Sequence, residues 1–220
     1  MLRNSTIEFL KTLTIHNDRE WFNENKSLYQ EAKSDMEAVA GQILTDIQNF
    51  DSRLMGTDLK KCIFRIYRDV RFSKDKSPYK THFGIFFAPG GKNSTAPGYY
   101  LHIEPGQCMI GGGVWMPTPQ ELFAIRQEIY YNWEEFQKIT QEPTFKAKFP
   151  MLDDTFKNVK APKGFEADFE GIDILKNKCF FFGHSLSDED LSAPDFNQKV
   201  DEMLQILLPF NQFLLRALEN

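Results

Sequence analysis

Cysteine is scarce in this sequence: Cys62, Cys108 and Cys179 are far apart and form no C-x-x-C pair. An odd, dispersed set argues against a disulfide-stapled scaffold and for reduced thiols in a cytoplasmic setting. No structural zinc site is expected. Long apolar runs are missing too; nowhere do the roughly 18 consecutive apolar residues of a membrane span occur. The first turns of the chain carry Arg3, Glu8, Lys11, Asp18 and Arg19, so no signal peptide is expected. Internal repeats, heptads and low-complexity tracts are absent.

What is present is ordinary core material. Of 220 residues, 41% are hydrophobic and 14% aromatic, with 21 Phe. A chain this long builds a core without metal or crosslinks, and a single globular domain over 1–220 is expected. The net charge of −5 speaks against a dedicated nucleic-acid coating protein. That total hides a split. Between Lys60 and His82 eight basic residues (Lys60, Lys61, Arg65, Arg68, Arg71, Lys74, Lys76, Lys80) face two acids, Asp69 and Asp75.

Apolar spacing predicts a helix over Ser5–Ile15, then a long one opened by an Asn17/Glu20 capping box and running to about Asn49. Alternation of Cys62, Phe64 and Ile66 with Ile63, Arg65 and Tyr67 predicts a strand. Three more strands are expected at 83–88, 99–103 and 107–115, joined by connections short enough to make them antiparallel. Thr118, Pro119 and Glu121 carry an N-cap, a first-turn proline and a capping-box acid. The helix they start is expected to bury Leu122, Ile125, Ile129, Trp133 and Phe136. Residues 142–171 read as loop with short helical pieces, 179–182 as a strand and 195–218 as a helix kinked at Pro209. The expected class is α+β: a central antiparallel sheet with flanking helices, two-layered.

Most catalytic signatures fail. Gly183-His184-Ser185-Leu186-Ser187 approaches a nucleophile elbow, but Ser187 replaces its last glycine and no histidine comes after Ser185. Gly91-Lys92 lacks the next-in-line Ser or Thr of a phosphate loop. His102 and Glu104 share a strand face, and His82 heads the neighbouring strand. Two histidines and a carboxylate suit a metal, but no familiar ligand spacing is present. The pair therefore reads as a surface histidine beside an acid, and no metal is expected. Gly111-Gly112-Gly113 interrupts a strand, either as a pocket wall or as a bend packed on an aromatic such as Trp115.

The basic segment holds the densest chemistry. Arginine forks bind phosphate or carboxylate in bidentate fashion, lysines add point charge, and hydroxyls complete the shell of an acceptor. The candidate ligand-binding residues are Arg65, Tyr67, Arg68, Asp69, Arg71, Ser73, Lys76, Tyr79, Lys80 and His82, with His102 and Glu104 beside them. A solvated loop paired with its own acids is the alternative.

At this segment the sequence resembles an uncharacterised family of bacterial and fungal conserved hypothetical proteins, domain of unknown function 2461. The resemblance rests on Asn17-Asp18-Arg19-Glu20-Trp21-Phe22, on the string Tyr67 to His82, on Gly98-Tyr99-Tyr100-Leu101-His102 and on the glycine triplet. It implies one domain, and no activity, substrate, cofactor or catalytic residue.

Two functions remain open. The first is a protein binding a small anionic ligand, phosphate- or carboxylate-bearing, with enzymatic activity an open question and proton transfer falling to His82, His102 or Glu104. The second is a non-catalytic interaction module for nucleic acid or an acidic protein surface. Compactness of the segment favours the small ligand. Nucleic acid is the less favoured partner and no membrane is expected, while cofactor and oligomeric state stay unassigned.

Overall fold

Thr118 accepts a hydrogen bond from Glu121 N–H, and Glu121 returns one from the Thr118 N–H, so the helix behind Pro119 starts where its residue types dictate. The computed structural model describes residues 1–219. In chain order its elements are α1 (Asn4–Ile15), α2 (Arg19–Glu24), α3 (Lys26–Phe50), a 3-10 turn (Ser52–Leu54), α4 (Leu59–Cys62), β1 (Phe83–Phe87), β2 (Gly98–Ile103) and β3 (Cys108–Val114). Next come α5 (Pro119–Tyr131), α6 (Trp133–Thr140), α7 (Pro143–Lys148), α8 (Ile172–Leu175), β4 (Phe180–Leu186), α9 (Asp188–Ser192) and α10 (Phe196–Glu219), with Pro209 inside the last helix. The four strands make one antiparallel sheet in the order β1-β2-β3-β4. The fold is α+β, as expected.

Several boundaries differ, each for a local reason. The long second helix is two. Its cap is Asp18, whose carboxylate accepts from Trp21 N–H, and it breaks at Asn25, whose N–H and side-chain amide both donate to Trp21 O. Asn17, freed from capping, pairs with Tyr79. The expected strand at 62–67 does not form: Asp58 caps α4 through Cys62, and residues 63–67 pair only at isolated bridges, Ile63 with Ile85 and Tyr67 with Tyr79. Pro78 has no N–H to give a ladder. The buried face expected from Leu122 to Phe136 is divided between α5 and α6 at Asn132, and β4 runs four residues beyond Phe182.

The described residues divide into two compact units. The first comprises Met1–Asn93, Tyr100–Ile110 and Ser185–Glu202. Within it α3 packs against α1, α2, α4 and β1. Met36, Ala40, Ile43 and Ile47 recur at three or four residues on α3 and are buried, together with Leu10 and Leu13 of α1 and Ile85 and Phe87 of β1.

The second unit comprises Ser94–Tyr99, Gly111–His184 and the chain from Met203 onward. Its core is aromatic: Phe182 sits edge-on to Phe145 and Phe210, with 5.0 Å between centroids in each case, and Phe136 meets Phe213 at 5.6 Å. The glycine triplet belongs to this packing rather than to a pocket wall. A Cβ on Gly111 would lie 2.5 Å from the Phe181 ring, so it is Phe181, not Trp115, that closes on the glycines. At Gly113, φ is +126° and a Cβ would collide with the Phe180 carbonyl oxygen of the neighbouring strand. Backbone strain of about 1–3 kcal/mol and overpacking of similar size therefore meet at one atom. Gly113→Ala is expected to lower stability by about 3 kcal/mol or more, as read from urea denaturation; a change under about 1 kcal/mol would show the strand pair giving way.

Candidate functional site

On β2 side chains alternate between two faces. Tyr99, Leu101 and Ile103 are buried, while Tyr100, His102 and, just past the strand end, Glu104 line the opposite face. On β1, Phe83, Ile85 and Phe87 are buried, which leaves His82 and Gly84 on the side of Tyr100 and His102. Gly84 is needed there: a Cβ would come within 2.7 Å of the Tyr100 hydroxyl and 3.4 Å of the Phe64 ring.

The structure brings His82, His102 and Glu104 together, each with one candidate donor atom and all three donors within 4.8 Å of one another. His102 Nε2 is 3.0 Å from Glu104 Oε2, and the two imidazole centroids are 4.4 Å apart. His102 is no surface histidine, since its side chain is 16% exposed. The Tyr100 hydroxyl lies 3.0 Å from His102 Nδ1, and the Thr81 hydroxyl donates to Glu104 Oε1 at 2.6 Å. Tyr100 and Thr81 escaped the sequence reading. The period of two that paired His102 with Glu104 also puts Tyr100 on their face; for Thr81, in a bend before β1, no sequence signal exists.

Burial pushes His82 down to about 4, helped by the His102 and Lys80 charges and opposed by Glu104. Burial also drives Tyr100 up to about 12, with the Glu104 charge adding to it. For Glu104 burial raises the pKa, but the Thr81 and His102 hydrogen bonds and nearby imidazoles outweigh it and hold the carboxyl below its ordinary value. The site at neutral pH is thus a carboxylate facing a neutral His82.

The basic loop is arranged differently. Arg68 pairs with Asp75, donates to the Ser77 carbonyl at 3.2 Å and reaches Ser73 Oγ at 3.4 Å. Arg71 holds Asp69 in a fork, with bonds of 2.9 and 2.6 Å, and Lys76 Nζ donates to the Val70 carbonyl at 2.9 Å. These five heads (Arg68, Asp69, Arg71, Ser73, Lys76) are engaged within their own loop. Tyr79 is buried and stacks on Phe22 at 3.9 Å, while Tyr67 beside it is half exposed. Asn17 ties the loop's end down: its side-chain oxygen accepts from Tyr79 N–H at 3.1 Å and its amide donates to Tyr79 O at 3.0 Å.

Two cations stay apart from this pairing. These are Arg65 and Lys80. Among the described residues their side chains, like that of Lys74, make no ion pair or hydrogen bond, although the Arg65 charge lies near enough to Asp69 to lower that carboxyl; Lys80 lies 5.2 Å over the Phe64 ring. Burial lowers the Lys80 pKa, and the like charge of Arg65 lowers it further.

The model of a conserved hypothetical protein family, DUF2461, matches residues 5–213. The chain belongs to the DUF2461 family. No curated protein and no solved structure matches it. The match spans both the Asn17–Phe22 and the Tyr67–His82 segments, which meet in the structure: Asn17 and Phe22 of the first contact Tyr79 of the second.

Arg68 and Arg71 should respond differently to truncation. Arg71→Ala removes an exposed pair and is expected to leave the urea midpoint unchanged, whereas Arg68→Ala strips the Ser77 carbonyl and Asp75 of their donor and is expected to lower it. Equal midpoints would show that Arg68 is as dispensable as Arg71. For His82 the folded pKa of about 4 lies below the unfolded value of about 6.5. From about pH 6.5 down to about 4 the unfolded chain takes up a proton that the folded chain refuses, so stability falls with pH across that window. In chelator-treated protein, His82→Gln is expected to lose this part of the acid sensitivity, and imidazole NMR to show His82 titrating near the lower limit. Midpoints falling in parallel from pH 7 to 4.5 would contradict it.

Proposed function

We propose that the protein binds a small anionic ligand, phosphate- or carboxylate-bearing, at Arg65 and Lys80 beside His82. The observation that carries this reading is Lys80: a half-buried ammonium with no carboxylate partner among the described residues, beside a second cation, Arg65, whose side chain makes no ion pair. Partial burial of an unpaired charge is unfavourable, and two like charges add to it; an anion between them relieves both. Arg65 is exposed and so accessible to a ligand from solvent. The ligand is thereby assigned to the outer edge of the basic segment rather than to Arg68 and Arg71, whose forks are filled. His82, neutral at physiological pH, stands close enough for Lys80 to depress its pKa.

A thermal-shift screen with inorganic phosphate, sugar phosphates and di- and tricarboxylates tests the proposal. A probe at about 100 times its dissociation constant stabilises the fold by about 2.7 kcal/mol. Lys80→Met and Arg65→Ala are expected to match or exceed the wild type in stability without ligand and to lose the shift. A shift that persists in both variants, or none with any anion, overturns it.

One observation favours the interaction-module reading. Phe72 is 95% exposed, with the Arg71 guanidinium 5.8 Å from its ring centroid, a surface on which a nucleobase could stack. A short single-stranded oligonucleotide in the same screen is its arm, with a steep salt dependence and loss in Phe72→Ala expected. A cytoplasmic address is part of the proposal and is supported by three free, buried cysteines. No helix among the described residues is long and apolar enough to cross a membrane.

A further inference from the structure

We infer that His82, His102 and Glu104 form a binding site for one divalent first-row transition-metal ion, held by two imidazole nitrogens and one carboxylate oxygen. The inference does not rest on the anion reading, whose cations Arg65 and Lys80 are not among the three ligands, although His82 borders both.

Spacing comes first. Two donors each about 2.1 Å from an ion and at right angles to one another stand about 3.0 Å apart. His102 Nε2 and Glu104 Oε2 are 3.0 Å apart. His82 Nδ1 is 4.0 Å from the same oxygen, so its ring needs to close by about 1 Å to complete a face of donors.

The groups behind these donors are placed as an outer shell requires. A ligating histidine is oriented by the partner of its other nitrogen, and a ligating carboxylate by a bond to its other oxygen. With its Nδ1–H donating to the Tyr100 hydroxyl oxygen, His102 has Nε2 free for the ion; the Thr81 hydroxyl donates to Glu104 Oε1, which leaves Oε2 directed at the imidazoles. Gly84 gives the Tyr100 hydroxyl its room.

A metal-free account covers only part of the cluster. Tyr100, His102 and Glu104 satisfy one another as a hydrogen-bonded chain, with the Tyr100 hydroxyl donating to Nδ1 and Nε2–H donating to Glu104. His82 has no place in that chain. Its ring is mostly buried, lies beyond hydrogen-bond range of Glu104, and makes no hydrogen bond among the described residues. Neither of its ring nitrogens has a hydrogen-bond partner among them, and a neutral imidazole with a free lone pair is the form that ligates a metal.

Donor chemistry narrows the ion. Imidazole and carboxylate suit Zn, Fe, Co, Ni or Mn as divalent ions, and three protein donors leave coordination positions open. No thiolate takes part: the Cys108 thiol donates to the Glu104 carbonyl, and burial, above all, pushes it up to about 11.

The test uses the full-length protein stripped with chelator and titrated with Zn(II) and Co(II). One ion per chain is expected by elemental analysis after gel filtration, with cobalt ligand-field bands showing nitrogen and oxygen donors. His82→Ala, His102→Ala and Glu104→Gln are each expected to weaken binding at least tenfold. Tyr100→Phe, which keeps all three ligands, is expected to weaken it about 10–100-fold. Lys80→Met, which removes the proposed anion site, and the double variant His16→Ala/His184→Ala are expected to bind as tightly as the wild type. Imidazole NMR of the wild type gives an answer even where a ligand variant fails to fold: Zn(II) should shift His82 and His102 and leave His16 and His184 in place. Affinity unchanged in His82→Ala, shifts on His16 or His184 instead, or no stoichiometric uptake would each overturn the site.

Discussion

Alternation along two neighbouring strands is the constraint on which the site depends. Phe83, Ile85 and Phe87 of β1 and Leu101 and Ile103 of β2 are buried on one face of the sheet. Because successive residues of a strand point to opposite sides, that burial commits His82, Gly84, Tyr100 and His102 to the other face. A slip of one residue in either strand would turn an imidazole into the hydrophobic core and a phenylalanine or leucine out of it. Hydrophobic burial therefore sets the position of the polar cluster, with no polar interaction needed to choose the register.

Within that frame the loop from Arg65 to His82 does two jobs. Its middle closes on itself: Asp69 and Asp75 sit close in sequence to the arginines they neutralise, and Asp75 also accepts from the Ser77 hydroxyl and N–H. Such local pairs give the loop a shape of its own, although exposed ion pairs add little to overall stability. Its two ends behave differently. Arg65 and Lys80 make no ion pair among the described residues and feel each other's like charge, and Thr81 and His82 reach the β2 cluster. A charge map drawn from sequence alone treats all these cations as equivalent, whereas the structure separates those with counter-ions from those without.

How much was legible depends on the range of the interactions involved. The α5 cap, the strand positions and the shared face of His102 with Glu104 depend on residues a few positions apart, and residue type and spacing suffice for them. The break at Asn25 was not legible, because an unbroken apolar stripe hides where a helix turns aside to let Phe22 stack on Tyr79. The stretch at 62–67 alternated like a strand, yet a capped turn at Asp58 and the missing N–H of Pro78 confine it to isolated bridges. The filled state of Arg68 and Arg71 required coordinates, since Asp69 and Asp75 could have turned elsewhere. Tyr100 is readable from the same period of two; Thr81 reaches Glu104 across 23 positions and leaves no mark in the pattern.

Asn17 has a reach beyond its size. Its carboxamide stands in for a missing strand, offering one acceptor and one donor to the peptide unit of Tyr79, and it does so from the bend between α1 and α2. Lys80, Thr81 and His82 come immediately afterwards. The anchorage of three polar groups is thereby delegated to a side chain 62 positions earlier, so that the helical hairpin at the start of the chain serves as a foundation for chemistry it never touches.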